Sequence, residues 1–356
     1  MLRVGIVGAS GYVGAELLRI LAGHPNVVVS AVTSEHNAGK PIQEVFPHFA
    51  GRFSLTLEMF DATQLASKTD LVFLALPHMT SMPAVDACLK AGLRVIDLSA
   101  DFRLNDPEAY QTWYGSAHLF PELLSEAVYG MPELNRERIR DALLVAAPGC
   151  YPTAAILQIA PLLQQHLIHN DLIAIDAKSG ISGAGRKPTL TSHFSEAHDG
   201  VEAYNLGHHR HTPEIEQGLR EVSNRYPRDT SAPESEIKVT FTPTRVPMNR
   251  GILSTAFVRL RTPMSTEDLR AIFQEWYHDE PFVCITPKDR LPNPHDVRGS
   301  NRCDLAVYVD QRTGWTTVLA ALDNLVKGAG GQAVQAMNLM VGNLESTGLD
   351  VVGIFP

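Results

Sequence analysis

The chain is short of cysteine, of clustered positive charge and of long apolar runs, and each shortage narrows what it can be. Only four cysteines occur in 356 residues, Cys88, Cys150, Cys284 and Cys303. They lie far apart and form no CxxC pair, which argues against a disulfide framework and a thiolate zinc site and makes a reducing, cytoplasmic setting the expectation. No run of Lys or Arg exceeds two residues, and the formal net charge is −9. Nucleic acids and anionic membranes both require clustered positive charge, so no partner of either kind is expected. No apolar stretch approaches a membrane span. Met1 to Gly8 reads as a buried strand running into a glycine turn, because its apolar stretch is too short for a signal peptide. Repeats and low-complexity segments are absent.

What is present is an ordinary globular composition, 44% hydrophobic and 19% charged, in a chain long enough for two domains. The first 150 residues alternate strand and helix patterns. Strands are predicted at Val4–Val7, Val27–Thr33, Leu71–Leu76, Arg94–Leu98 and Leu143–Ala147, and helices at Tyr12–Gly23 and Met82–Ala91. Apolar strands alternating with helices predict a parallel sheet covered on both faces. After Cys150 the pattern changes. A helix is predicted over Pro152–His166, then strands at Leu172–Lys178, Ile237–Thr244, Leu253–Leu260, Phe282–Thr286, Asp304–Val309 and Thr316–Leu322. Several alternate in-out, as in an antiparallel sheet. Arg225–Ser235 reads as a loop, and a last helix is expected at about Ala329–Leu344. The expected fold is therefore α/β: a Rossmann-like domain followed by an α+β domain with a mostly antiparallel sheet.

Gly8-Ala9-Ser10-Gly11-Tyr12-Val13-Gly14 joins the first strand to the first helix. Gly8 permits the tight turn, Gly11 lets the backbone approach a pyrophosphate, and Gly14 lets helix and strand pack closely. The helix start adds N–H groups and the positive end of a dipole. In this strand-turn-helix context the spacing points to dinucleotide binding rather than to a plain turn. An NAD site would place an acidic residue at the end of the second strand. Here the end reads Thr33-Ser34, with His36 and Lys40 beyond it, so hydroxyl donors and positive charge favour a 2′-phosphate and NADP. Glu35 must then point away.

Pro148-Gly149-Cys150-Tyr151-Pro152 places a cysteine at a helix start, where the dipole and free N–H groups stabilise a thiolate. Those N–H groups are also oxyanion donors. A buried structural cysteine is the commoner case, and Cys88, Cys284 and Cys303 fit it. Cys150 does not, since the flanking Pro-Gly and Tyr-Pro describe a rigid, exposed turn. Gly207-His208-His209-Arg210-His211-Thr212-Pro213-Glu214 is the densest titratable cluster, suited to acid-base work near neutral pH, with Thr212 as the expected N-cap of a following helix. A metal-binding His-x-His, which would imply a hydrolase, and a solvated polar loop are the competing readings. The metal reading would leave the glycine turn and Cys150 without a role. Arg103, Arg245 and Arg250 sit in turn-like segments after strands, where arginines clamp phosphate or carboxylate. Ser179-Gly180-Ile181-Ser182-Gly183 offers further N–H and O–H donors after a strand, suited to an anion or cofactor.

Together these motifs resemble the N-acetyl-gamma-glutamyl-phosphate reductases of arginine biosynthesis over nearly the whole chain. The most specific stretches are Pro148–Thr153 and His209–Glu214, supported by Ser99–Arg103, Lys178–Arg186 and Pro247–Gly251. The resemblance implies a layout like the aspartate-semialdehyde and glyceraldehyde-phosphate dehydrogenases. An NADP-binding domain would span 1–149, with the 325–356 segment returning to it, and a catalytic and dimerisation domain would span 150–324. It implies Cys150 as nucleophile and His209 as acid-base residue. Substrate would be bound by Arg103, His211, Glu214, Arg245 and Arg250. Cofactor would be bound by Gly8, Ser10, Gly11, Tyr12, Val13, Gly14, Thr33, Ser34, Ser179, Gly180 and Asn324. The implied activity is NADPH-dependent reduction of N-acetyl-L-glutamyl 5-phosphate to the semialdehyde, with a small-molecule substrate, no metal, and a homo-oligomer (dimer or tetramer). An aspartyl or aminoadipyl phosphate reductase and a non-enzymatic NADP-binding regulator are the rival readings. The chain departs from the pattern at Met79 and His208, where glycine is expected.

Overall fold

The structure, a computed structural model, describes residues 1–225 and 236–355. The loop expected at Arg225–Ser235 thus falls, from 226 on, outside the described residues. The chain divides into two compact units, Met1–Pro148 with Ala329–Val351, and Gly149–Gly328 with the chain's end from Val352.

In the first unit seven strands form one sheet: β1 (Leu2–Val7), β2 (Val27–Thr33), β3 (Leu57–Glu58), β4 (Leu71–Leu74), β5 (Arg94–Asp97), β6 (Val128–Tyr129) and β7 (Leu144–Ala146). Their order is β3-β2-β1-β4-β5-β7-β6, and every pairing is parallel. β4 and β7 are buried at every residue, which is why they read as continuous apolar runs. The strand order reverses direction between β1 and β4, creating a switch point at the carboxyl ends of those two strands. The helix Tyr12–Leu21 follows β1, with Leu17, Leu18, Ile20 and Leu21 buried. On one side of the sheet Val72, Leu74, Val85, Cys88, Val95, Phe102 and Tyr110 form the centre of a core cluster.

In the second unit the helix Cys150–Gln164 is buried almost throughout. The sheet holds β8 (Ile168–Ser179), β9 (Glu202–Ala203), β10 (Val239–Arg245), β11 (Ile252–Leu260), β12 (Val283–Ile285), β13 (Cys303–Asp310) and β14 (Trp315–Leu322) in the order β12-β13-β14-β11-β8-β10-β9. Four pairings are antiparallel, while β8–β10 and β12–β13 are parallel, so the sheet is mixed. Its alternating burial leaves one residue in two available to the face away from the helices.

Several expectations need correction. Helix His211–Arg225 takes in Thr212, so Thr212 is not its N-cap. The last helix is shorter than expected, Gly331–Met340, and is preceded by a wider π-turn over Val326–Gly330. Cys150 is not on an exposed turn. It is the first residue of its helix, half-buried, with Gly149 as N-cap.

Candidate active site

The residues expected to bind the cofactor through the glycine turn lie together in the first unit. Gly8 has φ 84°, and a Cβ there would stand 2.5 Å from the Ala75 carbonyl oxygen. A Cβ on Gly14 would stand 2.6 Å from Ala9 Cα. Both glycines are therefore required by packing, and they leave a cradle of bare backbone at the switch point. Gly11 caps the helix, and Tyr12 at its start is exposed. The end of β2 is tied to the turn: the Thr33 carbonyl accepts from the Gly8 and Ala9 amides at 3.1 and 2.9 Å, and Ser10 Oγ and Ser34 Oγ are 2.8 Å apart. The Ser10–Ser34 hydroxyl pair stands where an NAD site would carry a carboxylate, and Glu35 is exposed. These residues fit a dinucleotide carrying a 2′-phosphate. Arg103 is buried in the same unit, and its guanidinium donates to the carbonyls of Ala147 at 2.8 Å and Leu98 at 3.0 Å.

In the second unit, the start of helix Cys150–Gln164 meets the start of helix His211–Arg225. The Gly149 amide donates to Glu214 Oε1 at 2.8 Å, and Glu214 is 1% exposed. The carboxylate of the histidine segment thus holds the residue before Cys150. On the other side, a Cβ at Gly328 would stand 2.8 Å from Cys150 Cβ, so the wide turn before the last helix packs directly on the cysteine.

His209 is buried and ringed by aromatics: Tyr151 at 5.6 Å, Tyr204 at 5.4 Å, Phe241 at 5.3 Å and the His211 ring at 4.8 Å. Its Nδ1 accepts from the His211 amide at 3.1 Å, which places the ring proton on Nε2. Burial pushes its pKa down to about 3, with His211 and Arg210 adding to the shift and Glu214 opposing it. His209 is therefore a neutral imidazole near pH 7. His208, by contrast, is exposed.

Two tyrosines belong to this cluster, and neither was among the expected site residues. The Tyr204 hydroxyl donates to the Tyr151 hydroxyl at 3.2 Å. Burial raises the pKa of both, and the nearby ionisable Cys150 raises both further, so the phenols stay protonated beside Cys150. Tyr151 also reaches the Ser179 side chain. Tyr151 follows Cys150 directly in the chain, a signal that was available in the sequence.

The arginines are engaged by protein groups. Arg245 pairs with Glu202 at 2.7 Å and lies 4.8 Å from the centre of the Tyr204 ring, which brings it to the cluster. Arg250 stands 3.5 Å from Asp323. Asn324 Oδ1 accepts from the Gly251 amide at 2.7 Å, and its Nδ2 donates to Ser182 Oγ at 3.0 Å. A Cβ at Gly180 would meet the Asn249 carbonyl oxygen at 2.6 Å. Asn324, Gly180 and Ser182 thereby bind the loops after β8 and β10 into one frame carrying Arg250. Among the described residues no group of three or more His, Cys, Asp or Glu side chains is placed to hold a metal, and no helix is long and apolar enough to cross a membrane.

Comparison with known proteins agrees with this architecture. Residues 3–142 match the family described as "Semialdehyde dehydrogenase, NAD binding domain", and residues 150–324 match "Semialdehyde dehydrogenase, dimerisation domain". Two aspartate-semialdehyde dehydrogenases share the fold. The type II enzyme of Vibrio cholerae has a TM-score of 0.71 at 18% identity, covering 96% of this chain and 98% of that one. The Candida albicans enzyme, solved with NADP, has a TM-score of 0.71 at 17% identity over 96% and 98%. The chain is thus of the semialdehyde dehydrogenase class. Within it, curated N-acetyl-gamma-glutamyl-phosphate reductases from Geotalea daltonii and Geobacter sp. are 48% and 50% identical over 100% of both chains. The chain belongs to the N-acetyl-gamma-glutamyl-phosphate reductase family.

Proposed function

We propose that this protein reduces N-acetyl-L-glutamyl 5-phosphate to N-acetyl-L-glutamate 5-semialdehyde with release of phosphate, through a thioester on Cys150. Family membership carries the substrate. The observation that carries the mechanism is the Gly149 amide held by Glu214 at 2.8 Å, which joins the nucleophile's turn to the histidine segment.

Cys150, on the first turn of its helix, attacks the acyl carbon as a thiolate favoured by the helix dipole. The oxyanion that forms is met by N–H groups of that turn, and phosphate departs as the C–O bond breaks. When bound, NADPH would supply the hydride for reduction of the resulting thioester to the aldehyde level. Gly8, Ser10, Gly11, Tyr12, Val13, Gly14, Thr33 and Ser34 would hold the cofactor, and Ser179, Gly180 and Asn324 are assigned to cofactor binding as well. The thiohemiacetal then collapses with C–S cleavage, returning the electron pair to Cys150 sulfur.

His209 serves as the acid-base residue. With Nδ1 occupied by the His211 amide, its Nε2–H is the group offered to the reacting oxygen or sulfur. Arg103, His211, Glu214, Arg245 and Arg250 are assigned to substrate binding, with Glu214 also positioning Gly149. Residues 1–149 with 325–356 form the NADP-binding part and 150–324 the catalytic and dimerisation part. The matching dimerisation domain supports a homo-oligomer, a dimer or tetramer. The four cysteines, none of them in a disulfide, support a cytoplasmic setting.

The test is a substrate panel. Phosphate-dependent reduction of NADP⁺ is measured with N-acetylglutamate, aspartate and aminoadipate semialdehydes. The proposal requires kcat/KM to be highest for the N-acetylglutamyl compound, and a preference for either alternative overturns it.

A further inference from the structure

Met79 has φ 69°, a left-handed conformation that a residue with a Cβ rarely adopts. It lies just beyond β4, on the carboxyl side of the switch point, and the residue is 45% exposed. The segment leading to it abuts the glycine turn, since the space beside Gly8 is filled by the Ala75 carbonyl and by Leu76 Cδ2, which an added Cβ would meet at 2.5 and 3.3 Å. Ala75 to Met79 is therefore the lip of the crevice opposite the Gly8–Gly14 turn.

One buried group keeps this lip in shape. The Met79 amide donates to Asp101 Oδ1 at 2.8 Å, and Asp101 is fully buried. Asp101 is itself fixed from three sides. The Tyr110 hydroxyl donates to the same Oδ1 at 2.8 Å, His118 Nε2 meets the Asp101 carbonyl at 2.9 Å, and the Asp101 amide donates to Ser99 Oγ at 3.0 Å. Ser99 Oγ in turn donates to Asp97 Oδ2 at 2.6 Å, and Ser81, on the helix that follows the lip, donates to Asp97 Oδ1 at 2.6 Å. Asp101 Oδ2 has no hydrogen-bond partner among the described residues. A rigid buried carboxylate thus accepts from the one amide whose orientation depends on the left-handed turn.

We infer that Asp101 is a positioning residue for the cofactor: through the Met79 amide it holds the backbone of the β4 lip, Ala75 to Met79, in the strained shape that the bound dinucleotide meets. The inference rests on the reading of the glycine turn as the NADPH site. Without the acceptor, Met79 relaxes to negative φ, and the backbone of the lip loses that shape.

The experiment measures NADPH affinity by cofactor fluorescence, alongside thermal unfolding, in a small set of variants. Asp101→Ala should raise the Kd for NADPH about tenfold, the loss expected for a hydrogen bond to a carboxylate. Adding Met79→Gly should bring Kd back to within about threefold of wild type, because glycine adopts positive φ without strain. The unfolding temperature lost by Asp101→Ala should not return with it, which separates positioning from structural support. Should Asp101→Ala fail to fold, Met79→Val serves, since a β-branched residue resists the left-handed region at an exposed position. It should weaken NADPH binding several-fold with little change in unfolding temperature. Unchanged affinity in folded Asp101→Ala, or in Met79→Val where that variant is needed, overturns the inference. So does a double variant that binds no better than Asp101→Ala. Ser34→Ala separates this failure from failure of the cofactor reading. If Ser34→Ala weakens NADPH binding and Asp101→Ala does not, only the role of Asp101 falls. If neither does, the glycine-turn reading falls with it.

Discussion

The hydrogen bond from the Gly149 amide to Glu214 gives the sharpest prediction, because it separates an acceptor from a charge. Glu214 is 1% exposed, so replacing it by alanine leaves a buried amide without this acceptor. An orphaned buried donor costs about 1–3 kcal/mol. Glu214→Gln keeps an oxygen able to accept while removing the charge. Neutral hydrogen bonds contribute about 0.5–1.5 kcal/mol against about 1.5–3 for bonds to charged groups, so glutamine should recover about half of the loss. The catalytic effect should be larger than the stability effect, since the next residue is the nucleophile and a misplacement of about 1 Å can cost on the order of 10² in rate. We expect Glu214→Ala to lower kcat by about 10² and Glu214→Gln by less than about tenfold. Glu214 also raises the pKa of His209, opposing its burial. Removing that charge moves His209 further below neutrality, so the pH-rate curve between about 6 and 8 should keep its shape in both variants. The assay is phosphate-dependent NADP⁺ reduction together with urea unfolding. A glutamine variant as damaged as the alanine variant would refute the positioning argument, since charge rather than acceptance would then be what matters.

Cys150→Ala should abolish reduction while NADPH titration stays near wild type, and Cys150→Ser should fall almost as far, since an alkoxide is far harder to form than a thiolate. Near wild-type turnover in the serine variant would exclude the thioester. NADPH should be preferred over NADH, and Ser34→Ala should narrow the ratio of the two kcat/KM values by loss of a 2′-phosphate donor. Equal ratios before and after would remove that role from the Ser10–Ser34 pair. His209→Asn should reduce kcat by about 10²–10⁴, with His208→Asn mild, because His208 is exposed and His209 is buried. His209 also makes acid destabilising. The unfolded ring takes up a proton as pH falls through 6.5 and the folded ring only near 3, so its contribution is intact above about 6.5 and lost progressively below. Asp97 acts in the opposite sense. Burial raises its pKa to about 6 from 3.8, so the folded state gains stability as pH falls through that window. Denaturant melts should show His209→Asn flattening the acid loss and Asp97→Asn steepening it.

Elements whose signal is local were readable in the sequence. β2 was expected at Val27–Thr33 and is found there, because a β-branched run ends at polar residues on both sides. The glycine turn and the cysteine at a helix start are likewise written in consecutive residues. Helix Thr266–Trp276 was missed despite a readable signal, the reciprocal capping of Ser265 and Asp268. The helix Pro132–Asp141 is harder to see, since Asn135 departs from helical geometry within it. Strands β3, β6 and β9 have two residues each and exist only through the strands beside them, so no window of sequence could reveal them. The site was legible in its nucleophile and its histidines, but not in its contacts. Tyr204 meets Tyr151 across 53 positions and Glu214 meets Gly149 across 65, and such pairings arise only once the sheet and helices have brought the segments together.

Gly328 carries a consequence for how such a chain can change over generations. Its missing side chain is the room that Cys150 occupies, since a Cβ there would stand only 2.8 Å from the Cys150 Cβ. The two positions share no strand, yet what 328 can hold depends on what stands at 150. In a library selected for folding only, alanine at 328 should be rejected while any residue with a Cβ stands at 150 and be better accommodated once glycine replaces it, the Cα of residue 150 and the Asp323 carbonyl then being the nearest atoms at 3.2 and 3.3 Å. The geometry of the nucleophile would then leave its mark on a distant stretch of sequence even in descendants that had lost the chemistry.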